Sequence, residues 1–119
     1  MAVSQVYLRY GVGKRMKSNT VDQILTFYLA DKLIMSNSDT VKNSIKREVD
    51  EVLRQTSLKT VTIDLKDVEF IDSTGVGVFI SIYKFLIEKQ ISFKIIHPKE
   101  IVNKVFTITK LGNIIDIEL

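Results

Sequence analysis

Residues 70–79 read FIDSTGVGVF, which sets an acid, two hydroxyls and two glycines inside an apolar run. Four chemistries could use Asp72, Ser73, Thr74 and Gly75 at this spacing: nucleophilic catalysis, phosphate binding, helix capping, or modification of a hydroxyl. A nucleophilic serine needs a general base and an orienting third group. The chain has one histidine, His97, which follows a strand-like segment and precedes Pro98. It reads as a strand-end loop residue, and the run is not G-x-S-x-G. A serine hydrolase is not expected. Gly75-Val76-Gly77 lacks the third glycine of a dinucleotide fingerprint. Gly11-Val12-Gly13-Lys14 resembles the end of a P-loop, but Leu8 stands where the first glycine belongs and Arg15 where Ser or Thr should follow the lysine. Neither is a nucleotide motif. With no cysteine and one histidine, a cysteine zinc site and a multi-histidine metal site within one chain are excluded. No cofactor and no enzymatic activity are expected.

Capping explains one polar residue at a helix start, not the group of five. Acceptance of a phosphoryl group by Ser73 explains more, with Thr74 the second choice. A helix N-terminus tolerates the added anion through its free N–H groups and dipole. The phosphoryl group carries about −1.5 to −2 charges at neutral pH. On a helical wheel Gly77, Ser81, Lys84 and Glu88 align in a polar strip, with Ser73 and Thr74 on that side. Val76, Phe79, Ile80, Tyr83, Leu86 and Ile87 lie opposite and are expected in the core. Val78, Ile82 and Phe85 flank the strip and are expected to remain partly exposed. The expected partner-binding set is therefore Asp72, Ser73, Thr74, Gly75, Gly77, Val78, Ile82 and Phe85, with the two glycines leaving room for a partner.

The elements that must position this segment follow from periodicity. Residues 3–10 alternate as a strand, with Val3, Tyr7 and Tyr10 among the packing residues. GVGKRMKSNT reads as a loop, and residues 21–30 as a second strand antiparallel to the first. Ser36, Asn37 and Ser38 are candidate caps of an amphipathic helix carrying Val41, Ile45, Val49, Val52 and Leu53 on one stripe. Residues 60–65 form a strand leading into the polar segment, and a helix runs from Ser73 to about Lys89. A strand over 92–97 follows. Pro98 suits the first turn of a last helix, and Gly112 lies beyond that helix's end. IIDIEL closes the chain as a strand. The order β-β-α-β-α-β-α-β predicts one α/β domain over 1–119, with residues 1–20 as an N-terminal strand and basic loop. Its mixed sheet should carry the helices mainly on one face, since right-handed crossovers place them there.

The length of 119 residues fits one packed core, and a hydrophobic share of 45% argues against disorder. The net charge of +3 sits largely in Lys14, Arg15 and Lys17, read as a solvated loop without direct nucleic-acid binding. The N-terminus lacks a signal-peptide pattern, and no apolar run is long enough to span a membrane. The expected compartment is the cytoplasm, without membrane contact.

DVEFIDSTGVGVF resembles the phosphorylation-site segment of bacterial anti-sigma factor antagonists, which are single STAS domains. PKEIVNKVFTITKLGNIIDI resembles that family's C-terminal helix and closing strand. The likeness covers residues 58–119 well and 21–57 by pattern. It implies a partner-switching cycle. The unphosphorylated domain binds a kinase-type anti-sigma factor and frees a sigma factor. That serine kinase phosphorylates Ser73, and a PP2C-type phosphatase reverses the step. Many members carry G-E-L-D before the first helix, where the acid assists contact with the kinase. Here Asp31-Lys32-Leu33-Ile34 stands in that place, with Ile34 at the acid's position. Asp31 and Asp39 could substitute, though each also fits a solvated turn or helix start. A constitutive STAS scaffold, in a stress-signalling assembly or as an accessory subunit of a transport complex, is the alternative function. Self-association through the N-terminal strand edge as a homodimer is open to such a domain.

Overall fold

In the computed structural model, residues 4–11 and 14–119 are described, with side chains from Met16 onward. Val3, Val12 and Gly13, and the side chains of Tyr7 and Tyr10, lie outside the described set. The elements are β1 (Ser4–Gly11), β2 (Lys14–Val21), β3 (Ile24–Leu33), α1 (Met35–Leu53), β4 (Thr60–Ile71), α2 (Ser73–Ile87), β5 (Ser92–Ile96), α3 (Glu100–Thr109), a 3₁₀ turn (Leu111–Asn113) and β6 (Asp116–Glu118).

The expected α/β domain with a mixed sheet is present, with one strand more than the periodicity predicted. The six strands lie in sequence order, β1-β2-β3-β4-β5-β6. β1, β2 and β3 form an antiparallel meander, and β3 to β6 run parallel. The stretch read as a basic loop is β2. It pairs with β1 through Ser4↔Thr20 to Gly11↔Lys14 and with β3 through Lys17↔Tyr28 to Val21↔Ile24. The antiparallel neighbour of β3 is therefore β2, not the first strand. Polar residues disguised this strand, because only alternate positions such as Met16 and Ser18 are buried. Asp22 and Gln23 both take positive φ, 51° and 66°, which matches a two-residue hairpin turn of the primed type.

Each parallel step moves in one direction across the sheet, so right-handed crossovers bring all three helices to one face. Under them lie Leu25, Phe27 and Leu29 of β3, Val61, Ile63 and Leu65 of β4, and Phe93 and Ile95 of β5. Val41, Ile45 and Val49 of α1 close the core from above, as their spacing predicted. Phe79 of α2 meets Phe106 of α3 edge to face, with centroids 5.7 Å apart, a geometry worth about 0.5–1.5 kcal/mol beyond burial. One carboxyl joins this layer. Glu48 of α1 is buried and accepts from Ser18 Oγ of β2 at 3.2 Å. Burial pushes the Glu48 carboxyl above its ordinary range, the Ser18 bond partly offsets this, and nearby Glu51 adds to the rise. On the open face, Lys17 and Lys66 place their Nζ atoms 5.3 Å and 5.7 Å from the Tyr28 ring centre.

Two helix ends differ from expectation. Pro98 precedes α3, whose N-cap is Lys99. The helix is closed by Lys110, in the left-handed region at φ 58°, rather than by Gly112, which falls inside the following 3₁₀ turn. Among the described residues no helix is long and apolar enough to cross a membrane.

Candidate functional site

The helices α1 and α2 begin side by side, each at the C-terminal end of a strand. β3 ends at Leu33 beside Ile71, the last residue of β4. The backbone then turns into α1 through Ile34 and into α2 through Asp72, both in extended conformation. Asp72 caps its own helix in the ordinary way: Oδ1 accepts from the Gly75 N–H at 3.0 Å, and the Thr74 hydroxyl also donates to it. The other oxygen, Oδ2, accepts from the Met35 N–H at 3.0 Å. One carboxylate thus satisfies orphan N–H groups at the starts of two helices. The Thr74 hydroxyl foremost, then the N–H groups of Gly75, Met35 and Thr74, hold Asp72 below the usual carboxylate range, against the opposing cost of desolvation.

This arrangement answers a local need of α1. Its N-cap position is occupied by Ile34, whose side chain cannot accept a hydrogen bond. The residues expected as caps lie inside the first turn instead. Asn37 accepts from the Ile34 N–H at 2.9 Å and donates to the Lys32 carbonyl at 2.8 Å. Ser38 donates to the Ile34 carbonyl at 2.6 Å, and to Thr74 Oγ1 at 3.4 Å across the helix pair. Further along, Lys46 of α1 donates to Ser81 of α2 at 2.9 Å.

The two hydroxyls after Asp72 are thereby separated. Thr74 is half-buried and committed to Asp72 and Ser38. Ser73 is exposed, and its hydroxyl has no partner among the described residues. Among the described residues no histidine stands beside it. His97 is 3.2 Å from Asp64, which lies opposite Ile96 in the β4–β5 ladder. From Asp64 the strand runs on to Ile71, roughly 20 Å at about 3.3 Å per residue, before Ser73 is reached.

The glycines have different reasons. A Cβ on Gly75 would lie 2.6 Å from the Leu33 carbonyl oxygen and 3.3 Å from Ile71 Cβ, so only glycine lets α2 sit this close to β3. That residue serves packing and is buried, which corrects its assignment as open space for a partner. A Cβ on Gly77 would meet nothing within 4 Å. Gly77 borders a surface groove of about 330 Å³ between the helix starts, also lined by Met35, Ser38, Asp39, Lys42, Thr74, Val78 and Ser81.

The flanking apolar residues need correction as well. Val78 and Ile82, expected partly exposed, are 3% and 0% exposed. α1 packs on that flank of α2, so the helix buries a face rotated from the one the wheel selected. Accordingly Ile87, expected in the core, is 53% exposed. Of the expected flank, Phe85 remains half-buried, with Lys89 Nζ 4.7 Å and Lys46 Nζ 5.5 Å from its ring centre. Sequence reasoning did not place Met35 and Lys42 beside this segment, and read Ser38 only as a candidate helix cap. An apolar residue at the N-cap of α1 was the available sign that a cap would arrive from elsewhere. Asp39 is 90% exposed and pairs with Lys42 at 3.3 Å. Asp31 is exposed at positive φ, 65°, beside an irregularity of the β3–β4 ladder.

Comparison with known proteins agrees with this fold. The anti-sigma-B factor antagonist of Bacillus subtilis is 44% identical over 55 residues, which are 46% of this chain and 50% of that protein. Its namesake in Listeria monocytogenes is 38% identical over 56 residues, 47% of this chain and 49% of that protein. The chain thus spans about half the length of the curated relatives it matches. A crystal structure of a proposed anti-sigma factor antagonist from Thermotoga maritima superposes with a TM-score of 0.75, at 25% identity over 86% of this chain and 84% of that one. The STAS domain model matches residues 15–119. On that match, which takes in the site and the strands from β2 to β6, the chain belongs to the STAS domain family.

Proposed function

We propose that this protein is an anti-sigma factor antagonist switched by phosphorylation at Ser73. In the unphosphorylated state it binds a kinase-type anti-sigma factor and so releases a sigma factor. The kinase then transfers the γ-phosphoryl group of ATP to Ser73 Oγ, which loses its proton as ADP departs. A PP2C-type phosphatase restores the hydroxyl by hydrolysis. The domain acts as substrate and binder, without catalysis of its own.

One observation carries this reading: Ser73 is exposed and unpartnered at the start of α2, while its neighbours Asp72 and Thr74 are consumed by capping. The hydroxyl can enter a kinase site without disturbing the helix start. The likeness to proteins named anti-sigma-B factor antagonists supports the same reading. The partner surface comprises Ser73, the open backbone at Gly77 and the rim of Phe85, with Met35 and Lys42 joining from α1. Incubation with the cognate kinase and ATP, followed by mass spectrometry, is expected to place the label on Ser73 and to lose it in Ser73→Ala. Label at another residue, unchanged in that variant, overturns the assignment.

Ile34 favours a second reading, a constitutive STAS scaffold. The position at which the family resemblance implies an acid facing the kinase carries no charge here. Co-purification separates the two: a histidine-kinase-like ATPase supports the antagonist, whereas large self-assemblies or transporter subunits support the scaffold.

A further inference from the structure

We infer that Asp72 transmits the phosphorylation state of Ser73 to α1, by acting as the cap of both helices and letting go of one. This rests on Ser73 being the phosphorylated residue. The carboxylate holds α2 through Gly75 N–H and the Thr74 hydroxyl, and holds α1 through Met35 N–H at 3.0 Å. The α1 arm has no local substitute, because Ile34 occupies the N-cap and cannot accept. A phosphoserine at position 73 places a second anion beside the carboxylate, and both remain charged at neutral pH. Its oxygens also compete for the donors that Asp72 uses on α2. The repelled carboxylate keeps the arm on its own helix, where the cap is intrahelical, and loses the arm that reaches across to Met35.

The consequence falls on the partner surface. Met35 opens α1 with a side chain 75% exposed, and it lines the groove with Lys42, Thr74 and Gly77. Loss of its tether frays the first turn of α1 and reshapes one wall of that groove. Phosphorylation therefore acts through both charge and shape. The apolar side chain of Ile34 at the N-cap is what creates the dependence: a side-chain acceptor at that position would hold α1 on its own.

The test is amide hydrogen exchange at Met35, whose N–H donates to Asp72, and at Asn37, whose N–H donates to the Ile34 carbonyl, in protein carrying phosphoserine at position 73 by genetic encoding, so that no kinase is needed. Exchange at these amides is expected to rise at least tenfold over the unmodified protein. In Asp72→Asn the arm to Met35 is already lost, so exchange starts high and phosphoserine adds less than twofold. In Ile34→Asp the helix carries its own cap, and the phosphoserine effect on Asn37 is expected to shrink several-fold. Equal exchange with and without phosphoserine in the native sequence overturns the inference, as does an undiminished response in both variants. Should the kinase label another residue while encoded phosphoserine still loosens Met35, the function proposed above fails and the coupling stands.

Discussion

Asp72 Oδ2 lies 3.0 Å from the backbone nitrogen of Met35, a residue 37 positions away in sequence. A helix cap is ordinarily a local device, worth about 1 kcal/mol. Here the same carboxylate serves two helices, so its removal should cost more than one cap. Asp72→Ala is expected to lower stability by about 1.5–2.5 kcal/mol in urea denaturation, on the scale of caps lost at both helices. Asp72→Asn, which retains an acceptor for α2, should lose less. A loss within about 0.5 kcal/mol for the alanine variant, no more than a weak single cap provides, contradicts the shared role.

The two glycines of α2 predict opposite responses to the same substitution. Gly75→Ala drives a methyl to 2.6 Å from the Leu33 carbonyl oxygen, a backbone atom that cannot swing aside. Overpacking of this kind costs about 1–3 kcal/mol. Gly77→Ala meets open space and should gain about 0.5–1 kcal/mol from helix propensity. If partners dock over Gly77, the more stable variant binds them more weakly. Thermal melts and titration calorimetry on the pair would reveal whether that glycine is kept for binding.

Lys110 caps α3 at φ 58°, a region costly for a residue with a Cβ. Lys110→Gly is expected to raise stability by roughly 0.5–1 kcal/mol, read from the denaturation midpoint. A decrease would mean that the lysine side chain holds the turn by some other contact.

The two perturbed carboxyls act on stability in opposite senses as pH changes. Asp72 is depressed on folding, so its contribution is present above its unfolded value near 3.8 and is lost as pH falls through the folded one. Glu48 is raised, so the folded state binds its proton more tightly. Its cost sets in as pH rises above the unfolded value of 4.5 and is complete above the folded one. Glu48→Gln keeps a neutral acceptor for Ser18 and should be more stable than the native sequence at pH 7, with the advantage shrinking toward pH 4. An advantage independent of pH would assign it to packing rather than to charge.

Much of this protein is determined by the chain read alone. Periodicity marks α1 by Val41, Ile45 and Val49, because a helix in contact with one sheet shows a single apolar stripe. The alternation of strands and helices requires parallel crossovers, and hence helices on one face. The Asp-Ser-Thr-Gly run marks the start of α2, because an acceptor, small residues and a following apolar period leave few other structures open. Tertiary contact decided the rest. β2 is a strand because β1 and β3 flank it, although its own residues look like a loop. Val78 and Ile82 are buried because α1 lies against them, and no wheel of α2 contains that information. Gly75 is needed because the carbonyl of Leu33 lies there. The chain read alone prefers the Ser73 hydroxyl to that of Thr74, and the contacts of Asp72 and Ser38 supply a physical difference between them, consuming one hydroxyl and leaving the other free.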